Sequence, residues 1–232
     1  MIEDVTILIP AYQPDDKLVA LVARLRAAFA HVVVVDDGST EGRAVFDAIR
    51  AQVDAVLVHA VNRGKGAALK TGFAWIRANQ SGTKGVVTAD ADGQHTVADI
   101  TRVAEAVAEH PGGLVLGVRR FNGHVPFRSR FGNYWTMGFF WLITGLAVKD
   151  TQTGLRGIPR DLLDRVANLP GDRYEYEMRM LVDARLHPQK PRQIPIETVY
   201  LDGNKSSHFR PLRDTILTQK ALLGARFGRA KQ

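Results

Sequence analysis

Gly85-Val86-Val87-Thr88-Ala89-Asp90-Ala91-Asp92-Gly93-Gln94-His95 is the stretch around which the chain is organised. Gly85 to Thr88 reads as a short buried β-strand that runs into two carboxylates spaced i, i+2, a glycine and a glutamine. Hard cations such as Mg²⁺ or Mn²⁺ take oxygen ligands, commonly one or two carboxylates plus substrate phosphates. Neighbouring carboxylates also repel, and a divalent ion shared with a diphosphate relieves that repulsion. Asp90 and Asp92, with Gln94 close by, are therefore candidate metal ligands facing a diphosphate. The other reading is an Asp-Gly turn that ends a strand. The segment alone leaves both open, and the segments around it decide.

Upstream, Val5-Thr6-Ile7-Leu8-Ile9 is a near-continuous β-branched run, as in a strand buried on both faces of a parallel sheet. It ends in the loop Pro10-Ala11-Tyr12-Gln13-Pro14. Asp15 or Asp16 can cap a helix with Leu18, Leu21, Val22 and Leu25 on one face. Val32 to Val35 is a second strand opening onto Asp36-Asp37-Gly38-Ser39-Thr40, and a helix through Val45, Phe46 and Ile49 follows. Ala55 to Val58 is a third strand, followed by Asn62-Arg63-Gly64-Lys65-Gly66 and a helix to about Asn79. This alternation predicts βαβ units and a mostly parallel sheet flanked by helices, an α/β fold. Ligands of such sheets gather outside the carboxyl ends of the strands, and four successive strand ends here carry polar or special residues. Gly64-Lys65-Gly66 matches neither a P-loop nor a G-x-G-x-x-G fingerprint, because no Ser or Thr follows and Leu69 stands at the third glycine position. A helix N-terminus with small residues and a lysine can still face an anion.

Downstream, Leu114 to Val118 reads as another strand, ending at Arg119-Arg120. An apolar stretch from Tyr134 to Val148 is shorter than the roughly 20 residues of a membrane span. It reads as a buried helix or as one packed on the acceptor side at a membrane surface. Lys149-Asp150-Thr151-Gln152-Thr153-Gly154-Leu155-Arg156-Gly157 is a dense polar segment, and Tyr174 to Glu177 opens a helix through Met178, Leu181 and Val182. Glu175 and Glu177 are site candidates of lower rank, or solvated helix residues. Ile194 to Tyr200 alternates and contains Pro195, an edge-strand pattern. A last amphipathic helix is expected from about Leu212 to Phe227. The composition changes near Arg120, which predicts two halves of one compact unit, 1–119 and 120–232.

With 232 residues and 45% hydrophobic content the chain can bury a sizeable core. The absence of cysteine excludes disulfides, a thiolate nucleophile and Cys-ligated metal sites. Met1-Ile2-Glu3-Asp4 is acidic and enters a strand at once, unlike a signal peptide. The net charge is +7, and from Gly203 onward Lys205, Arg210, Arg213, Lys220, Arg226, Arg229 and Lys231 face a single acid, Asp214. Such a tail suits polyanions or an anionic membrane, or simply solubility. Nucleic acid is not expected, because the tail lacks aromatic stacking platforms.

Taken in order, Ile9-Pro10-Ala11-Tyr12, Val35-Asp36-Asp37-Gly38-Ser39, Asn62-Arg63-Gly64-Lys65-Gly66, Asp90-Ala91-Asp92-Gly93-Gln94, Asp150-Thr151-Gln152-Thr153-Gly154-Leu155-Arg156 and Ser207-His208-Phe209-Arg210-Pro211 resemble family 2 glycosyltransferases. The likeness is to the polyprenyl-phosphate sugar transferases, the group of dolichol-phosphate mannose synthase and its bacterial relatives. It runs from Ile7 to about Pro211. It implies a GT-A fold, a Rossmann-like nucleotide half plus an acceptor half. It also implies inverting transfer from a UDP- or GDP-linked sugar to undecaprenyl or dolichyl phosphate, with Mg²⁺ or Mn²⁺ as cofactor. By position, Pro10, Ala11 and Tyr12 would line the base pocket and Asp37 would bind base or ribose. Lys65, Asp90 and Ala91 would lie on the nucleotide sugar. Asp90, Asp92 and Gln94 would hold the metal. Arg119 would steady phosphates, and Arg128 and Arg130 would take the acceptor phosphate. Lys205 and Arg210 would close over the diphosphate. Asp92 and Asp150 are the catalytic candidates, Asp150 as base or as acceptor positioner, with capping of the loop before Thr151 as its other role. His95 and His208 read as hydrogen-bonding loop residues. Gln13 departs from the Glu common in relatives. The implied location is cytoplasmic, peripheral on the inner membrane face; a membrane partner protein is one candidate for the anchoring role that C-terminal helices play in many relatives, and the sequence leaves that open. The competing functions are a family 2 transferase with a soluble sugar or glycan acceptor, and a non-catalytic nucleotide- or membrane-binding module.

Overall fold

Val5 to Ile9 forms the middle of β1 (Ile2–Ala11), and all five residues are buried. Their alternation feeds two separate cores. Val5, Ile7 and Ile9 face one core and Leu8 faces the other, as do Val32 and Val34 against Val33 and Val35 in β2 (Phe29–Asp36). A strand apolar on both sides needs helices on both sides, and the chain supplies them. The computed structural model describes residues 1–119 and 137–197. In it, α1 (Asp16–Arg26), α2 (Arg43–Ile49) and α4 (Val97–Glu109) contribute to the first core. The second is built with α3 (Lys65–Asn79), α6 (Arg160–Ala167) and α7 (Glu175–Ala184). As expected, Asp15 caps α1 by accepting from the Lys17 amide, and Leu18, Leu21, Val22 and Leu25 are its buried face.

The seven strands run in the order β3 (Ala55–Val58), β2, β1, β4 (Gly85–Thr88), β6 (Arg156–Pro159), β5 (Val115–Arg119), β7 (Arg192–Ile196). The pairs β1–β2, β1–β4, β2–β3 and β5–β7 are parallel, whereas β6 is antiparallel to both β4 and β5. The order reverses at β1, so the carboxyl ends of β1 and β4 flank the switch point at which such sheets bind ligands. The reversed β6 pairs Arg156 with Thr88, which brings the segment before it, 150–155, to the same edge. From sequence that segment is polar loop. The structure extends its end into a buried strand. The Pro195-bearing β7 lies at the sheet edge, as its pattern predicts.

Within the apolar stretch, 137–144 is helical (α5). Phe140 is buried against Leu116, Val118, Met178 and Leu181 in a third cluster, while Trp141 and Leu142 are 59% and 67% exposed. Among the described residues no helix is long and apolar enough to cross a membrane. The helix expected over 212–227 lies outside the described residues.

Helix α3 is held on the sheet by Leu69, Phe73 and Ile76, and Phe73 is 1% exposed. Phe73→Ala removes a buried ring and should lower stability by about 3–5 kcal/mol in chemical denaturation.

Candidate active site

The loop after β3 is fixed from below by Asp37. One of its carboxylate oxygens accepts from the Arg63 amide at 2.9 Å, and the other from the Gly64 amide at 2.7 Å. His59 Nδ1 lies 2.7 Å from the same Asp37 carboxylate, and its Nε2 lies 2.9 Å from Thr71 Oγ1 in α3. The resemblance puts Asp37 on base or ribose. In the structure it is 3% exposed and holds the turn before α3 through the Arg63 and Gly64 amides and His59. Gly64 then turns with φ +106° into α3, and a Cβ there would strike the Asp172 carbonyl. Lys65, the first residue of α3, is thereby aimed across the carboxyl edge of the sheet.

Lys65 Nζ is 2.7 Å from Asp90 Oδ1 and 3.0 Å from Glu177 Oε1 on α7. Burial opposes the lysine charge, but Asp90 and Glu177 outweigh it and hold its pKa above the usual range. Burial likewise works against the Asp90 anion. Lys65, with His95 Nε2 at 3.4 Å, overrides it and keeps that carboxyl well below the ordinary value. Asp92 behaves in the opposite way. Burial, and then the neighbouring Asp90 charge, push its pKa up, against one hydrogen bond donated by the Gln94 amide at 3.0 Å. Lys65 and His95 also favour the Asp92 anion, but not enough to offset burial and Asp90, so the two carboxylates are driven in opposite directions.

Asp90 is also walled by backbone. A Cβ on Gly154 would land on its carboxylate, so only glycine lets the 150–155 segment approach this closely. That segment is ordered by the fully buried Arg156, whose guanidinium donates to the carbonyls of Thr153 at 2.9 Å, Thr151 at 3.5 Å and Glu177. At its start, Asp150 is 0% exposed and receives the Arg119 fork, Nε at 2.6 Å and Nη2 at 3.0 Å, together with the Gln152 amide at 3.1 Å. A carboxylate so engaged suits holding Arg119 and capping the loop better than removing a proton.

Of the residues expected from sequence, Lys65, Asp90 and Asp92 share this centre, and Arg119 and Asp150 form a pair at the end of β5. Pro10 and Ala11 end β1, where the Ala11 carbonyl accepts from the Asp37 amide at 2.8 Å, and Tyr12 is 36% exposed just beyond. Ala91 packs on the first core. Arg128, Arg130, Lys205, Arg210 and His208 lie outside the described residues. Of the two glutamates expected as lesser candidates, the structure brings Glu177 to this centre, and it adds Arg156.

Residues 6–166 match Glycosyl transferase family 2. The chain belongs to that family. This family 2 chain is 27% identical over 218 residues to the UDP-N-acetylglucosamine–dolichyl-phosphate N-acetylglucosaminyltransferase of Methanococcus voltae, covering 84% of this chain and 86% of that protein. It is 32% identical over 166 residues to the undecaprenyl-phosphate mannosyltransferase of Micrococcus luteus, covering 67% and 66%. Among solved structures it is similar to glucosyl-3-phosphoglycerate synthase from Mycobacterium tuberculosis in complex with Mn²⁺, UDP and glucosyl-3-phosphoglycerate. That match has a TM-score of 0.69 at 18% identity and covers 97% of this chain and 80% of that one. The fold is GT-A, as the resemblance implies.

Among the described residues no cluster of three or more His, Cys, Asp or Glu is placed to hold an ion by itself. What the chain offers is two neighbouring hard carboxylates, Asp90 closely paired with Lys65 and Asp92 acted on by Lys65 and His95 only more weakly. That donor set fits Mg²⁺ or Mn²⁺ completed by diphosphate oxygens and water, and suits softer metals poorly.

The depressed Asp90 pKa makes a signed prediction. A carboxyl lowered by folding contributes stability that is present above its unfolded value, here 3.8, and lost as the pH falls below it. Lys65→Met removes that contribution. Its stability deficit, from urea midpoints across the pH range, should be largest near neutrality and shrink below about pH 3.8.

Proposed function

We propose that this chain moves a sugar from a nucleotide-diphosphate sugar, UDP- or GDP-linked, to a polyprenyl phosphate, with inversion at the anomeric carbon. The carrying observation is the Lys65–Asp90–Asp92 centre at the carboxyl ends of β1 and β4, ringed by the loops after β1, β2 and β3 and by the 150–155 segment. The acceptor class is drawn from the relatives named for dolichyl and undecaprenyl phosphates.

Asp90 and Asp92, with Gln94 assisting, would hold the divalent ion, Mg²⁺ or Mn²⁺. Bound there, it would supply positive charge to the departing diphosphate. The chain's own residues do the rest. Lys65 adds a fixed cation where leaving-group charge grows, and its position costs no reorganisation at the moment of reaction. Arg119, clamped by Asp150, presents a second cation at the end of β5. A phosphate oxygen of the acceptor is already anionic, so it attacks the anomeric carbon on the face opposite the diphosphate without a general base. That agrees with an Asp150 carboxylate already committed to Arg119. Pro10, Ala11 and Tyr12 line the base side, with Asp37 shaping the wall through the 62–64 loop. In this reading 1–119 is the donor half and 120–232 the acceptor half. Arg128 and Arg130 take the acceptor phosphate, and Lys205 and Arg210 close on the diphosphate. The enzyme works peripherally on the cytoplasmic membrane face, and a membrane partner protein is compatible with that location.

Radiolabelled UDP- and GDP-sugars incubated with undecaprenyl phosphate and Mn²⁺ should give label in the lipid phase. Asp92→Ala should cut it by about two orders of magnitude, the loss typical of removing one electrostatic stabiliser. Label that appears only in water-soluble product, or transfer unaffected by Asp92→Ala, contradicts the proposal.

A further inference from the structure

Lys65 has two anionic neighbours, and they are not equivalent. Asp90 Oδ1 receives a hydrogen bond from its ammonium at 2.7 Å. Glu177 Oε1 sits 3.0 Å away and buried, and among the described residues it has no donor besides this ammonium. Glu177 is also rigidly placed. Its own carbonyl takes the Arg156 guanidinium, and the adjacent Tyr176 hydroxyl donates to the Val166 carbonyl at 2.6 Å, fastening α7 to α6. A divalent ion on Asp90 and a lysine ammonium on the same carboxylate repel each other at close range. The Lys65 side chain is only 17% exposed and Glu177 is the more buried of its two acidic partners, so the nearest alternative to Asp90 is an anion inside the protein.

We infer that Glu177 is a positioning residue that receives the Lys65 ammonium when a divalent cation takes Asp90, so that cation and lysine sit side by side instead of competing. This rests on the metal reading above and adds a residue on α7 to it. The Glu177 oxygen, already 3.0 Å from the ammonium, is the acceptor that such a transfer needs, and Lys65 closes on it by a small movement about its terminal bonds. Without that acceptor, Asp90 is the sole anionic neighbour of Lys65 among the described contacts, and every cation that binds must displace it.

The test is a double-mutant cycle read by cation binding. Mn²⁺ is titrated into the full chain with UDP, and separately with GDP, and free Mn²⁺ is followed by electron paramagnetic resonance. Glu177→Gln should weaken Mn²⁺ binding about tenfold, the usual effect of losing a partner that orients a metal ligand. On a Lys65→Met background the same change should matter by about twofold or less, because the competitor is gone. If Glu177→Gln fails to fold, Glu177→Asp is carried through the same cycle, with the same expected dependence on Lys65. Unchanged binding in the single variant overturns the inference. So does an equal loss on both backgrounds, which would mean that Glu177 acts on the cation directly through its charge. A wild-type chain that takes up no Mn²⁺ with either nucleotide overturns the metal reading itself.

Discussion

The contact between Lys65 and Asp90 is the constraint from which the rest of the site follows. It joins the first residue of α3 to the loop after β4, two segments that meet only because β1 lies between β2 and β4 in the sheet. A partly buried charge pair is costly to assemble and costlier to break, about 3–5 kcal/mol when one partner is removed from a fully buried pair and less here, where solvent reaches Asp90. The fold meets that cost with supporting contacts. Asp37 fixes the turn before Lys65, Gly154 lets backbone close on Asp90, and Glu177 shares the ammonium. Each of these belongs to a different strand end or helix, so the centre exists only in the assembled sheet.

Reversal of one strand does more for the site than its length suggests. Were β6 parallel to its neighbours, the residues before it would lie at the opposite edge of the sheet. Because it runs antiparallel, Asp150 and Gly154 arrive beside the ends of β5 and β4. Arg156 at its first position then ties this segment to α7 through backbone carbonyls alone, which orders the loop without spending a carboxylate. The acidic groups stay available for Lys65 and Arg119.

Much of this was legible from residues alone. Strands β1 to β4 announce themselves as apolar runs, and β3 and β4 begin and end where the pattern places them. The Asp15 cap and the buried face of α1 follow from spacing. By contrast, β6 is four residues that begin with Arg and end with Pro, and only its neighbours make it a strand. Helix α4 has readable signals that the reading from sequence passes over, Thr96 as its cap and Ile100, Val103, Ala104 and Val107 on one face. Glu177 could not be chosen over Glu175 from sequence, because what separates them is the docking of α7 against α3. Likewise, nothing local says that Asp37 turns toward the 62–64 loop or that Asp150 meets Arg119. Those pairings depend on residues 26 and 31 positions away.

The most direct measurement is diffraction at the manganese absorption edge from crystals grown with Mn²⁺ and a nucleoside diphosphate. The account predicts an anomalous peak within ligand distance of the Asp90 and Asp92 carboxylates, with the diphosphate on its far side. A nucleoside diphosphate bound in the cleft with the ion held elsewhere, or with both carboxylates turned away from it, would contradict it.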